Sequence, residues 1–157
     1  MRIEFTIHGT PKAKGRPRFA RMGNFVKTYT PKDSATYENL VRTEFVQVFN
    51  GAPLSGPIRL DMKAYFPMPK SMRKADREQA RFEQLPLTKK PDIDNLVKSV
   101  LDGLNTVAFE DDKQVYAITC SKWYSLQPRT EVTVIQPALP GDEMGTPVPK
   151  PQTKLVL

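Results

Sequence analysis

The segment from Asp92 to Asp112 constrains this chain most. Leu96, Val97, Val100, Leu101 and Leu104 recur at helical spacing and form one apolar stripe. Asp94 reads as the N-cap of that helix, and Gly103 near its end predicts a stop by Asn105. The same 21 residues hold Asp92, Asp94, Asp102, Asp111, Asp112 and Lys98. Such a knot of acid is unexpected in a chain of formal net charge +7. A basic protein that keeps clustered aspartates often uses them to hold a hard cation near phosphate.

Periodicity supplies the neighbours of this helix. Ile3, Phe5 and Ile7 alternate and predict an amphipathic strand over 2–7. Gly9 and Pro11 break it, and a basic loop follows, with a short strand near Phe19. A helix starts at Thr30 or Asp33, with Pro31 in its first turn, and runs to about Phe49 on Tyr37, Leu40, Val41, Phe45 and Val48. Ile58, Leu60, Met62, Ala64 and Phe66 alternate as a second long strand, ended by Pro67 and Pro69. Residues 70–84 are polar and basic with weak helical character. Val115–Tyr124 and Thr130–Ile135 read as two strands of an antiparallel hairpin turning through Gln127 and Pro128. Past Pro137 the composition turns to proline, glycine and isolated charges, which predicts an extended or disordered tail over 137–157. The order implies one mixed α/β or α+β layered domain over 1–136.

The basic charge is unevenly placed. Residues 1–32 carry eight Lys or Arg against one acid, Glu4. Lys12, Lys14, Arg16, Arg18 and Arg21 fall at every second or third position of the loop, which suits contact with a phosphate backbone more than base reading. A second basic run spans Lys70–Lys90, mixed with Asp76, Glu78 and Glu83, so a salt-bridged helix competes there with a DNA surface. One cysteine, Cys120, excludes an internal disulfide, and no segment has a signal-peptide or membrane-span pattern, which points to an intracellular protein. A single histidine, His8, is too little for a zinc cluster or histidine-dependent hydrolysis and reads as a strand end. Cys120 reads as a buried strand residue, and Gly9, Gly15 and Gly23 form no nucleotide-binding loop.

Asp92, Asp94 and Asp112 form a candidate ligand set for a hard divalent ion that keeps water and takes phosphate oxygens. Lys98 lies four residues after Asp94 and four before Asp102. Ordinary i,i+4 ion pairs would explain that spacing; so would a lysine held beside a scissile phosphate. Eight helical residues span about 12 Å, so Asp102 is expected to orient Lys98 or stand behind the ligands. Of Asp111 and Asp112, one serves as ligand and the other solubilises the loop.

With these residues in hand, the segment PDIDNLVKSVLDGLNTVAFEDDKQV resembles the RusA family of Holliday-junction resolvases. The matching elements are DxDN, the lysine four residues on, D-G-L, and the DDxQV close. IHGTPKAKGRPRF is similar to that family's opening, and the resemblance covers roughly residues 1–136. It implies a homodimer whose single RusA-like domain packs a small mixed sheet against helices. It implies paired symmetric nicks in four-way DNA junctions, using Mg²⁺ with Mn²⁺ able to substitute. Asp92, Asp94 and Asp112 become the metal-binding catalytic acids and Lys98 the essential lysine. Asp102, Asp111 and Asn95 accompany them. The cytoplasm of a bacterium or phage-infected cell is the implied location. Phe45, Phe49, Phe66, Trp123 and Tyr124 are candidates for the dimer surface, and core packing accounts for each equally well. Two other functions compete: a noncatalytic junction-binding or DNA-scaffolding protein, and a nuclease acting on flaps, forks or RNA-containing duplexes.

Overall fold

The computed structural model describes residues 1–16, 18–29 and 32–138. The predicted tail lies outside the described residues from 139 onward, as do Thr30 and Pro31.

The alternating N-terminal segment forms strand β1 (Arg2–His8), with Ile3, Phe5 and Ile7 buried. The basic loop then leads into an antiparallel hairpin, β2 (Arg18–Met22) and β3 (Phe25–Tyr29). Gly23 at φ 63° and Asn24 make its two-residue turn, a pairing that a Gly-Asn step signals. Phe19, Met22, Phe25 and Val26 are all exposed on this ribbon.

Helix α1 (Lys32–Val48) buries Tyr37, Val41 and Phe45 on one face. Strand β4 (Ile58–Pro67) buries alternate residues from Ile58 to Ala64 and then Tyr65 and Phe66 as well. The polar stretch after it contains a short helix, α2 (Lys74–Arg81), in which Asp76 pairs with Arg73 at the N-cap and Glu78 with Arg81. Helix α3 (Ile93–Leu104) buries Leu96, Val100 and Leu104. A 3₁₀ turn (Asp112–Gln114) feeds β5 (Val115–Ser125), and β6 (Arg129–Ile135) closes the described fold.

The main sheet has the order β1-β6-β4-β5. β6 runs antiparallel to both β1 and β4, while β4 and β5 are parallel. Its fold class is therefore mixed α+β, a small mixed sheet covered by helices. The expected hairpin of β5 with β6 is not formed: β4 lies between them. The reason is burial. β4 is the most thoroughly buried strand, so it takes an inner position, and the short link 126–128 steps over it. Non-adjacent strands stand about 10 Å apart, within reach of three extended residues.

One core joins β1, β4, β6, α1 and α3 around Phe5, Phe45, Leu60, Val100 and Val134. A smaller cluster of Ala64, Phe66, Leu87 and Leu96 seats the start of α3 against the end of β4. Phe45 and Phe66 thus belong to the interior, and Phe49 and Tyr124 pack partly buried against these clusters. Among the described residues no helix is long and apolar enough to cross a membrane.

Candidate active site

Helix α3 carries the site because its apolar stripe fixes its rotation. With Leu96, Val100 and Leu104 turned to the core, Asp94 and Lys98 face outward. They border a cavity of about 460 Å³ walled by Ile93, Val97, Leu101, Ile118 and Cys120. A larger cavity, about 640 Å³, lies elsewhere, among Arg2, Glu4, Arg59, Asp61, Lys63 and Glu131. Its Arg2–Glu4 and Arg59–Asp61 pairs neutralise one another, and it holds none of the predicted site residues.

The helix begins two residues earlier than expected. Asp92 occupies the cap position with extended backbone and no side-chain cap bond, and Asp94 sits in the first turn. Both carboxylates are exposed, near the positive end of the helix dipole. Lys122 of β5 supports the approach: its ammonium donates to the carbonyls of Lys89 (2.7 Å) and Pro91 (2.8 Å). Sequence reasoning missed Lys122, because nothing local marks a strand lysine as a clamp on a distant loop.

Lys98 is the hub. Its ammonium lies 3.0 Å from Asp102 Oδ1 and 3.5 Å from Asp112 Oδ2. The hydrogen bond to Asp102 holds it above the usual lysine value, against the effect of burial. Lys98 therefore remains a cation at neutral pH and can stabilise negative charge but not accept a proton. Burial would raise the Asp102 carboxyl, yet bonds from Lys14 and Lys98 outweigh it and hold the group below its ordinary range.

Asp111 and Asp112 do part company. Asp111 caps the 3₁₀ turn: its side chain accepts from the Lys113 N–H at 3.0 Å, and its own N–H donates to Gln114 Oε1 at 2.9 Å. That reciprocal pair is a capping box, legible in the DDxQ string. Gln114 Nε2 also donates to the carbonyls of Leu54 and Gly56. Asp112 is left to face Lys98.

Among the basic-loop residues, Lys12 and Arg16 are exposed, as is Arg21 on β2. Arg18 begins β2. Lys14 differs: its ammonium ion-pairs with Glu38 and lies 2.9 Å from Asp102 Oδ2. The loop is fastened to α3 and α1 by three more bonds, from the Lys14 N–H to the Asn95 carbonyl, from Ser99 Oγ to the Lys12 carbonyl, and from the Gly15 N–H to Ser34 Oγ. Asn95 thus contributes its carbonyl. Cys120 is partly buried on β5, and burial pushes its thiol up, away from the thiolate a nucleophile needs.

The structure brings together Lys98, Asp102 and Asp112, with Asp94 beside Lys98. Among the described residues no three of His, Cys, Asp and Glu converge closely enough to cage a metal ion. Asp94 is exposed and Asp112 partly exposed on either side of Lys98, and a hard divalent ion is commonly held by one or two carboxylates together with water and substrate phosphate.

The chain fits the profile of the endodeoxyribonuclease RusA family over residues 8–135 and belongs to that family. It is also 38% identical over 134 residues to the uncharacterized protein YqaN of Bacillus subtilis (strain 168), across 84% of this chain and 94% of the relative.

Proposed function

We propose that this chain is a metal-dependent endodeoxyribonuclease that resolves four-way DNA junctions by paired symmetric nicks. Membership of the RusA family supports the reaction class. The observation that carries the reading to these residues is the Lys98 ammonium, half exposed between Asp102 and Asp112 and beside Asp94.

One or two carboxylates of the Asp92, Asp94 and Asp112 set would hold Mg²⁺, or Mn²⁺ in its place, with water and substrate phosphate completing its shell. Bound there, such an ion supplies Lewis acidity and lowers the pKa of water for attack on phosphorus. Lys98, kept protonated by its carboxylate neighbours, offers positive charge to a phosphate oxygen. Asp112 and Asp102 restrain that ammonium from two sides, which limits the reorganisation needed when charge develops. Lys12, Arg16, Arg18 and Arg21 would contact the DNA backbone and set its register without reading sequence. A two-fold dimer would present two such sites to a nearly two-fold substrate.

Asp94→Asn tests this reading on a synthetic mobile junction, with linear duplex and a flap beside it, in Mg²⁺, Mn²⁺ and chelator. The wild type should make paired nicks only with metal. The variant should bind the junction normally and lose cutting by at least about 100-fold, beyond the loss of an outer partner. Equal cutting by both proteins overturns it. Preference for the flap moves the function to another branched substrate, and tight binding without cuts in either metal makes it a binding protein.

A further inference from the structure

We propose that Lys14 is a positioning residue for the nuclease reaction, acting through Asp102 to hold the Lys98 ammonium beside the phosphate. The inference rests on the reading above and assigns the lysine a job other than DNA contact.

Five charges of alternating sign run in a chain through four separate parts of the fold. They are Glu38 on α1, Lys14 in the basic loop, Asp102 and Lys98 on α3, and Asp112 after it. Asp102 divides its two oxygens between two lysines. Oδ2 is 2.9 Å from Lys14 and Oδ1 is 3.0 Å from Lys98. Exposure is graded along the line. The Lys14 and Asp102 side chains are 22% and 21% exposed, whereas Lys98 is 52% exposed. The inner pair is therefore the less screened and the more rigid, and the outer lysine takes its place from it.

The division matters for charge as well as for place. With Lys14 absent, Asp102 would have its whole negative charge for Lys98 and neutralise it. Asp102 would also face Glu38, now without a cation between them. With Lys14 present, Asp102 restrains Lys98 while part of that cation's charge stays available to a phosphate.

The loop geometry supports this assignment. Lys14 is pinned by its own N–H to the Asn95 carbonyl at 2.9 Å, and the bonds from Ser99 to Lys12 and from Gly15 to Ser34 flank it. Its side chain starts from a fixed point and ends between two carboxylates. Lys12 and Arg16, two residues away on either side, are exposed. The four-residue run 12–15 thus both borders the DNA surface and reaches inward to the lysine hub.

The test is a double-mutant cycle on Lys14→Met and Asp102→Asn, with Lys14→Arg as the conservative variant and melting curves to confirm folding. Cutting is read as kcat and KM, and junction binding as Kd at several salt concentrations. Lys14→Met should lower kcat about tenfold, the scale for loss of an outer partner. KM, Kd and salt slope should stay within about twofold of wild type, unlike the loss of a phosphate contact. Arginine should restore most of kcat, and in the Asp102→Asn background Lys14→Met should cost little more. Additive losses overturn the proposal, as does weaker binding with a salt slope reduced by about one contact.

A second readout needs no cutting. The Lys98 ammonium signal, in ¹H–¹⁵N spectra of lysine-labelled protein, should move in both Lys14→Met and Asp102→Asn. An unmoved signal in Lys14→Met overturns the positioning role even where the wild type cuts. A moved signal in a protein that cuts no junction sinks the nuclease reading and leaves the Lys14–Asp102–Lys98 coupling standing.

Discussion

Asp111 and Asp112 are adjacent and chemically identical, yet their surroundings give them different work. Asp111 satisfies backbone groups at the start of the 3₁₀ turn, and its partner Gln114 ties that turn to the carbonyls of Leu54 and Gly56. Asp112 is spent on Lys98. Asp111→Ala should therefore lower the melting temperature by a few degrees, as lost caps do, and leave junction cutting near wild type. Asp112→Asn should melt like wild type and lose cutting. Thermal denaturation and a junction assay on the two variants check this, and the reverse pattern would exchange the two roles. The same logic separates Lys14 from Lys12 and Arg16: what surrounds a charge decides its job, and residue type does not.

At the scale of elements, the contact between α1 and α3 sets the lysine hub. Gly103 is buried where the helices meet. A methyl group there would stand 2.6 Å from Val41 Cβ and 2.9 Å from the Glu38 carbonyl oxygen. Neither neighbour is the free end of a flexible chain, so the helices would have to part. Three consecutive residues thus hold three posts: Asp102 in the charge line, Gly103 at the helix crossing, Leu104 in the core. Gly103→Ala should cost about 1–3 kcal/mol by urea titration, the scale of overpacking in a well-filled interior. Cutting should fall too at temperatures where the variant is folded, because Glu38 on α1 is the far anchor of Lys14. Unchanged stability would show that the helices can slide apart freely.

At the scale of the whole molecule, the proposed reaction makes two cuts in one junction. Among the described residues the charge line and its cavity occur once, so the proposed pair of symmetric nicks would call for two copies of the chain. Light scattering should give about 36 kDa, twice the 17.8 kDa chain, at concentrations where junctions are cut in pairs. A species of single-chain mass making paired nicks would overturn the dimer. Of the five aromatic residues offered as candidates for that contact, Phe45 and Phe66 are buried and Phe49, Trp123 and Tyr124 are partly buried. Large apolar side chains left exposed include Phe19 and Phe25 on the hairpin and Ile93, Tyr116 and Ile118 around the cavity and the β5 edge.

What the sequence determined by itself was whatever repeats locally. Alternation marked β1 and β4, the apolar stripe marked α3, and the ordered DxDN, lysine and DDxQV strings marked the family. The β2–β3 hairpin and the Asp111 cap went unread in the sequence, although short strings, Gly-Asn and D-x-x-Q, lie at both. Tertiary structure decided whatever joins distant residues. β4 entered between β5 and β6 because its burial demanded an inner place, which no periodicity within β5 or β6 reveals. Lys14 met Glu38 and Asp102, 24 and 88 residues away, only because a glycine lets α1 and α3 approach closely. Local pattern fixes which face of an element is apolar. Which charges then meet across those faces depends on packing, and the hub of this site is made there.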